Sequence, residues 1–340
     1  MFGMLRLVSQ VLLLRASWND YFSSEVKIGK YWIKESSFAD FTSTGDGGAI
    51  SLKDSIVGAL LVEKCDFNSI FTDGNGGCIS YQSPTKSLGC VIDRVTAVNC
   101  ACGDYNDNTE SDGSFSYIHL PFDAKVKNYN YKVSVTGCPP IVGTISRNHS
   151  ILVKGGNLKV DDVNISYTKQ TYAGLCLLKG QGNCTVSFLS IMHNTASIST
   201  FISLWDTQYE VTCSQFINNT QSAEDGVIYV DRGANVVMKS CYFKDNSESF
   251  LFCVWNGSLT IESCYIVGSF LTTSESVVFT NNATSMPNCP RSCNNDDTKT
   301  TGKNITKIIL ISAGAIVVIA IALFFFCRGN DEKWNKAINV

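Results

Sequence analysis

The chain has 340 residues, 44% of them apolar and 17% charged, and a formal net charge of −3. That is the composition of a folded protein with material for a sizeable core, and it excludes a disordered polyelectrolyte. The 27 Lys and Arg are scattered, so there is no electrostatic footprint for nucleic acid, and 15 Cys are too few for a small disulfide scaffold.

Residues 1–17, MFGMLRLVSQVLLLRAS, place Arg6 before a short apolar stretch from Leu7 to Leu14, broken by Ser9 and Gln10 and followed by Ala16 and Ser17. Arg15 stands where the apolar region should end cleanly. The stretch reads as a degenerate signal peptide, as the remnant of a longer N-terminal region, or, over Val11 to Leu14, as a strand of the first rung.

From residue 18 to 284 one pattern recurs: apolar, x, apolar, x, x, small or apolar, x, apolar. It is written as YWIKESSF (31–38), LLVEKCDF (60–67), CVIDRVTA (90–97), LKVDDVNI (158–165), CTVSFLSI (184–191), YEVTCSQF (209–216), VVMKSCYF (236–243) and LTIESCYI (259–266). Apart from one gap the copies lie roughly 23 to 30 residues apart, the period of a solenoid. Each copy is followed by a second strand: GAISL (48–52), GCISY (77–81), GSFSY (113–117), GLCLL (174–178), TFISL (200–204), GVIYV (226–230), FLFCV (250–254) and SVVFT (276–280). Alternation puts Ile50 and Leu52, Ile79 and Tyr81, Ile202 and Leu204, and Ile228 and Val230 on an inward face. Short strands stacking turn upon turn describe a parallel β-helix. A β-sandwich also has many short strands but gives no reason for one pattern to recur in phase.

The gap, about 100–155, contains the turn-rich GDYNDNTESDG and then YNYKVSVTGCPP, which reads as a long loop followed by a less regular rung. Insertions of this kind are where solenoids place binding surfaces.

Among the cysteines, Cys65, Cys241 and Cys264 share one repeat position, and Cys241 and Cys264 fall on consecutive turns, as a stacked thiol ladder or as a bridge. Cys289 and Cys293 either pair with each other or cap the last turn. They open a polar stalk over 285–307.

Residues 308–327 begin with IILISAGAIVVIAIALFFF, a run without charge that is roughly 28 Å long as a helix, enough to span a bilayer. Lys303 and Lys307 flank it on one side and Arg328 on the other. All but one of the 15 Cys precede this run, as do N-x-S/T triplets at Asn148, Asn164, Asn183, Asn218, Asn256, Asn282 and Asn304. Disulfides and glycans belong to the exterior, so the large N-terminal part is expected outside and the tail 328–340 inside. Cys327, at the inner boundary, is a candidate for palmitoylation, with an unmodified thiol as the plain alternative.

GDGGAISL (45–52) and GNGGCISY (74–81), together with FINN (216–219) and FKDN (243–246), resemble the GGA[I/V/L] and FxxN repeats of the polymorphic outer membrane protein family. That family occurs in bacterial autotransporters, and similar proteins stand on the surfaces of some parasitic protists. The resemblance covers about Tyr31 to Thr280 and implies a right-handed parallel β-helix with a role in adhesion or surface variation. In this setting the glycine pairs Gly47/Gly48 and Gly76/Gly77 allow a tight corner before the inward residues Ile50 and Ile79. Phe216 and Phe243 stack in the core, and Asn219 and Asn246 sit at turns bonding their neighbouring backbone. Bacterial members end in a translocating β-barrel, whereas this chain ends in an apolar helix and a short tail, like the single-pass protist relatives.

The expected fold class is therefore all-β, a right-handed parallel β-helix ectodomain plus one C-terminal transmembrane α-helix. β-Helices also house polysaccharide lyases and hydrolases, which need converging carboxylates. The adjacent acids Asp161 and Asp162 occupy the turn positions that Glu63-Lys64 and Asp93-Arg94 fill elsewhere, and His119, His149 and His193 share no motif with an acid or nucleophile. Asp46 and Asp73 beside glycines read as turn residues, because the tandem nine-residue spacing of calcium rolls is missing. No catalytic residue, metal or cofactor is expected. The expected function is an adhesin whose partners are the membrane and a host-cell, matrix or neighbouring-cell ligand. The alternatives are a variable coat protein without a ligand and a membrane-tethered polysaccharide-active enzyme.

Overall fold

The computed structural model describes residues 29–289, apart from 54–57, 104–110, 140–148, 171–173, 222–224, 247–249, 269–271, 273–275, 282 and 288. These residues belong to one compact unit, Met1–Cys289. The candidate signal peptide 1–17, most of the stalk, the apolar run 308–327 and the tail 328–340 lie outside the described residues. Among the described residues no helix is long and apolar enough to cross a membrane.

The regular structure is a parallel β-solenoid. Its longest sheet stacks Lys30–Lys34, Ala59–Glu63, Gly89–Val98, Lys127–Thr136, Asn157–Ser166, Cys184–Ser187, Gln208–Thr212, Ala234–Lys239, Gly257–Glu262 and Val277–Thr280. A second sheet stacks Ile50–Lys53, Ile79–Gln82, Ser116–His119, Ile151–Lys154, Leu175–Leu178, Phe201–Leu204, Ile228–Asp231 and Phe252–Val254. The sequence repeat is the rung: Tyr31 pairs Leu60, Leu60 pairs Cys90, Tyr209 pairs Val236, and Val236 pairs Leu259, always in parallel. One core runs the length of the coil, from Ile50 and Leu60 to Leu259 and Ile261.

The two-residue interruption inside each repeat is a corner. Glu35, Lys64, Arg94, Lys132, Asp162, Phe188, Cys213, Ser240 and Ser263 stack there, all with φ between 48° and 58°. Left-handed backbone at a non-glycine residue costs roughly 1 to 2 kcal/mol, so each corner needs compensation. At two of these corners it comes from the next residue, whose N–H donates to the side chain at its own position one turn on: Leu189 to Ser214 Oγ (3.1 Å) and Cys241 to Cys264 Sγ (3.3 Å). A backbone donor that would otherwise be orphaned at a bend is thereby satisfied.

Two expectations change. TFISL is shifted by one residue: Phe201 pairs Ile228 and faces the core, while Ile202 joins Leu152 and Cys176 on the outer face. GSFSY is shifted likewise, with Ser116 and Ile118 in register with Ile79 and Tyr81. Because side chains alternate, a one-residue slip exchanges the faces, and an apolar outer face at these turns hides the slip. The rung read as less regular within 100–155 is a full ten-residue strand, Lys127–Thr136, paired on both sides.

Candidate functional site

The glycine pairs do what the motif requires. Gly47 and Gly76 both have φ of +72°, and a Cβ on either would collide with the carbonyl oxygen of Ile50 or Ile79. Gly48 and Gly77 lie so close to the next turn that a Cβ would strike the carbonyls of Gly77 and Ser114. Phe216 and Phe243 stack face to face, with ring centroids 5.0 Å apart. Asn219 and Asn246 depart from expectation, because their amides reach across turns instead of bonding adjacent backbone. Asn219 Oδ1 accepts from the Asn194 N–H (3.2 Å) and Nδ2 (3.0 Å), and Asn219 Nδ2 donates to Ile191 O (2.8 Å). Asn246 receives the Asn219 N–H at 3.0 Å in the same way. The FxxN motif is thus a phenylalanine stack beside a buried amide ladder.

A third corner follows the second sheet, and its left-handed residues project outward: Lys179 (φ 51°), Trp205 (φ 61°) and Arg232 (φ 55°) on successive turns. Trp205 is followed by a second left-handed residue, Asp206 (φ 52°), an uncommon strain for so bulky a side chain. Lys179 Nζ lies 5.4 Å and the Arg232 guanidinium 4.9 Å from the indole centroid, with Lys154 Nζ at 5.8 Å. Phe122, 48% exposed, extends the patch, with Lys179 Nζ 4.8 Å from its ring and the His119 ring tilted against it at 6.1 Å. Lys154, Lys179 and Arg232 gather here with Asp206 and Asp231, and Arg232 Nε lies 3.8 Å from Asp231 Oδ2. Burial, and then the charges of Lys154 and Lys179, pull His119 down to about 4, and burial and Lys179 pull Lys154 below the ordinary lysine value. One turn further, Trp255 is 72% exposed.

The structure also joins three residues that share no motif in the sequence. His149 Nδ1 meets Asp112 Oδ1 at 2.8 Å, and the imidazole interacts electrostatically with the Cys176 thiol. Burial opposes the charge of His149, but Cys176 and Asp112 outweigh it and raise the imidazole to about 10. Thiol, imidazole and carboxylate are ordered as in a nucleophilic triad. However, Cys176 is 1% and His149 9% exposed, so the set is closed to substrate and ties three segments together.

The remaining candidates take structural places. Asp162 is a corner residue stacked with Lys132 and Arg94, and Asp161 accepts from Ser187 Oγ at 2.6 Å on the face of the sheet. Asp46 receives Asn75 N (2.7 Å) and Gln82 Nε2 (2.9 Å), and Asp73 receives Gly45 N–H. Both acids tie adjacent turns. Among the described residues no three His, Cys, Asp or Glu are placed to hold a metal ion. The sequons at Asn183, Asn218 and Asn256 are exposed. Asn164 is half-buried, with Nδ2 donating to Ser134 and Ser166. Asn148, Asn282, Asn304, Cys293 and Cys327 lie outside the described residues. Cys241 and Cys264 are free thiols stacked in one ladder. Comparison with family models, curated proteins and solved structures returned no match.

Proposed function

We propose that this chain is a single-pass cell-surface protein whose β-solenoid is a binding module, and that the corner of Lys179, Trp205 and Arg232 holds an acidic glycan on a host cell, matrix or neighbouring cell. The observation that carries this reading is the strained Trp205, flanked by cations of both neighbouring turns and continued by exposed Phe122. Aromatic faces suit sugar rings, and lysine and arginine suit carboxylate or sulfate groups. Cations stacked at a solenoid's spacing of about 4.8 Å also match a repeating polymer better than a compact ligand. The apolar run at 308–326 and the exposed sequons support the surface placement.

Cells displaying the full chain test the reading with heparin-coated, polygalacturonate-coated and neutral dextran-coated beads. Saturable, salt-sensitive retention of the acidic beads is expected, falling about tenfold in Lys179→Glu. Equal retention of all three coatings, or of none, sinks it and favours a coat protein without a specific ligand.

A further inference from the structure

The corner column of the longest sheet ends in an arrangement that the repeat does not require. After the last strand, Val277–Thr280, the chain turns back along the outside of this column. The Ala283 N–H first continues the ladder, donating to Cys264 O at 3.0 Å as Tyr265 does to Cys241 O, and the Cys289 thiol then reaches back to Ser240 O at 3.7 Å, two turns earlier. Cys289 therefore lies beside the corner of Ser240, on the turn that follows that of Cys213. Cys213 is itself the left-handed corner residue of its turn (φ 48°), so its side chain points out of the coil where Glu35, Lys64 and Arg94 project on other turns. The Cys213 N–H donates to Lys239 O at 3.1 Å, one residue before the carbonyl that the Cys289 thiol reaches, so the two thiols share one corner, and burial and then Cys213 push the Cys289 thiol up to about 12. Both cysteines are partly exposed, whereas every other described cysteine is buried.

We infer that Cys213 and Cys289 are a disulfide site that fastens the returning segment to the flank of the solenoid. The sequence points elsewhere, to Cys289 with Cys293, because those two are close in the chain. The fold instead brings Cys289 beside Cys213, on the sixth of the eight repeats and distant in sequence. The chemistry is exchange with an oxidised low-molecular-weight disulfide or a disulfide-bonded oxidoreductase. The two thiols lose their protons, one S–S bond forms between Cys213 and Cys289, and the two electrons pass to the exchange partner, which leaves as two thiols. The inference rests on the surface reading for its oxidising compartment. Its consequence is that Cys289 is held against the flank of the solenoid, at the turn of Cys213. Closing so long a loop also restrains the unfolded chain, so the final turns gain resistance to fraying.

The test is peptide mapping of the full chain made in secretory cells, with free thiols blocked by N-ethylmaleimide before digestion. A cross-linked pair containing Cys213 and Cys289, two hydrogens lighter than its separate peptides, is expected. It should persist in Cys293→Ser, disappear in Cys213→Ser and in Cys289→Ser, and raise the thermal midpoint by about 2 to 4 °C over the reduced protein. A second arm exposes reduced, purified full chain to oxidised glutathione. A bridge formed there but not in cells upholds the pairing and counts against the surface placement. Blocked thiols at both positions in both arms, or a Cys289–Cys293 link, overturn it.

Discussion

The second corner of the coil is filled by two chemistries. In the first half the residues after the bend are Ile70, Cys100 and Cys138, and in the second they are Thr168, Asn194, Asn219 and Asn246. The backbone geometry is shared: Asn99, Tyr167, His193 and Asn218, each just before the buried residue, have φ between 52° and 56°. The task is shared too. The Cys100 N–H donates to Cys138 Sγ at 3.1 Å, where further along the Thr168 N–H donates to Asn194 Oδ1 at 3.1 Å. What differs is what the side chain gives back. A thiol returns one weak donor, as Cys138 does to Thr136 O at 3.5 Å, while an amide returns two strong donors. Apart from Ile70, which offers no acceptor, these residues tie one turn to the next, and the strength of the tie depends on which acceptor is present.

The largest effect that could break this comparison is expected from Asn219→Ala. It strands the donors of Asn194 and the acceptors of Ile191 and Asn246, and it should cost about 4 kcal/mol in urea unfolding. Asn219→Cys converts the second half to the chemistry of the first. It keeps an acceptor for the Asn194 N–H and should cost about 2 kcal/mol, and a loss equal to that of alanine would show that sulfur does not serve. Cys138→Ala, in the thiol half, should cost about 1.5 kcal/mol, because a single weak acceptor and a small volume are removed.

The smallest effect is one of pH, at the His149–Asp112 pair, which sits beside the thiol half through Ser150 Oγ donating to Cys138 O. The folded imidazole is raised to about 10 from an ordinary 6.5. Its contribution is therefore complete below pH 6.5 and is lost as pH rises toward 10. Asp112→Asn should flatten that decline by about 1 kcal/mol, and parallel pH profiles of the two proteins would show that the pair contributes nothing.

The rungs were legible because their apolar residues recur in phase, and the glycine pairs because only glycine fits a bend that tight. The rung at Lys127–Thr136 was obscured by Asn128 and Asn130, which stand at the inward positions of Cys90 and Ile92 on one side and Leu158 and Val160 on the other. Polar residues there erase the alternation that marks a strand. The slip at Phe201 has the opposite cause, since Phe201 and Ile202 are both apolar and the sequence cannot rank them by face. The Lys179–Trp205–Arg232 corner was invisible because each residue belongs to a different turn. Their proximity exists only once the register is known. The same is true of His149, Asp112 and Cys176.

The first corner has a further property. Its left-handed position constrains only the backbone, and the residues found there, Glu35, Lys64, Arg94, Lys132, Asp162, Phe188 and Cys213, have no chemistry in common. The coil therefore carries an external row of side chains at a fixed pitch of about 4.8 Å, of which Arg94, paired with the buried Glu63 and Asp93, is tied to the rungs behind it. On such a ruler the outward side chain can change from turn to turn while the backbone that carries it stays the same.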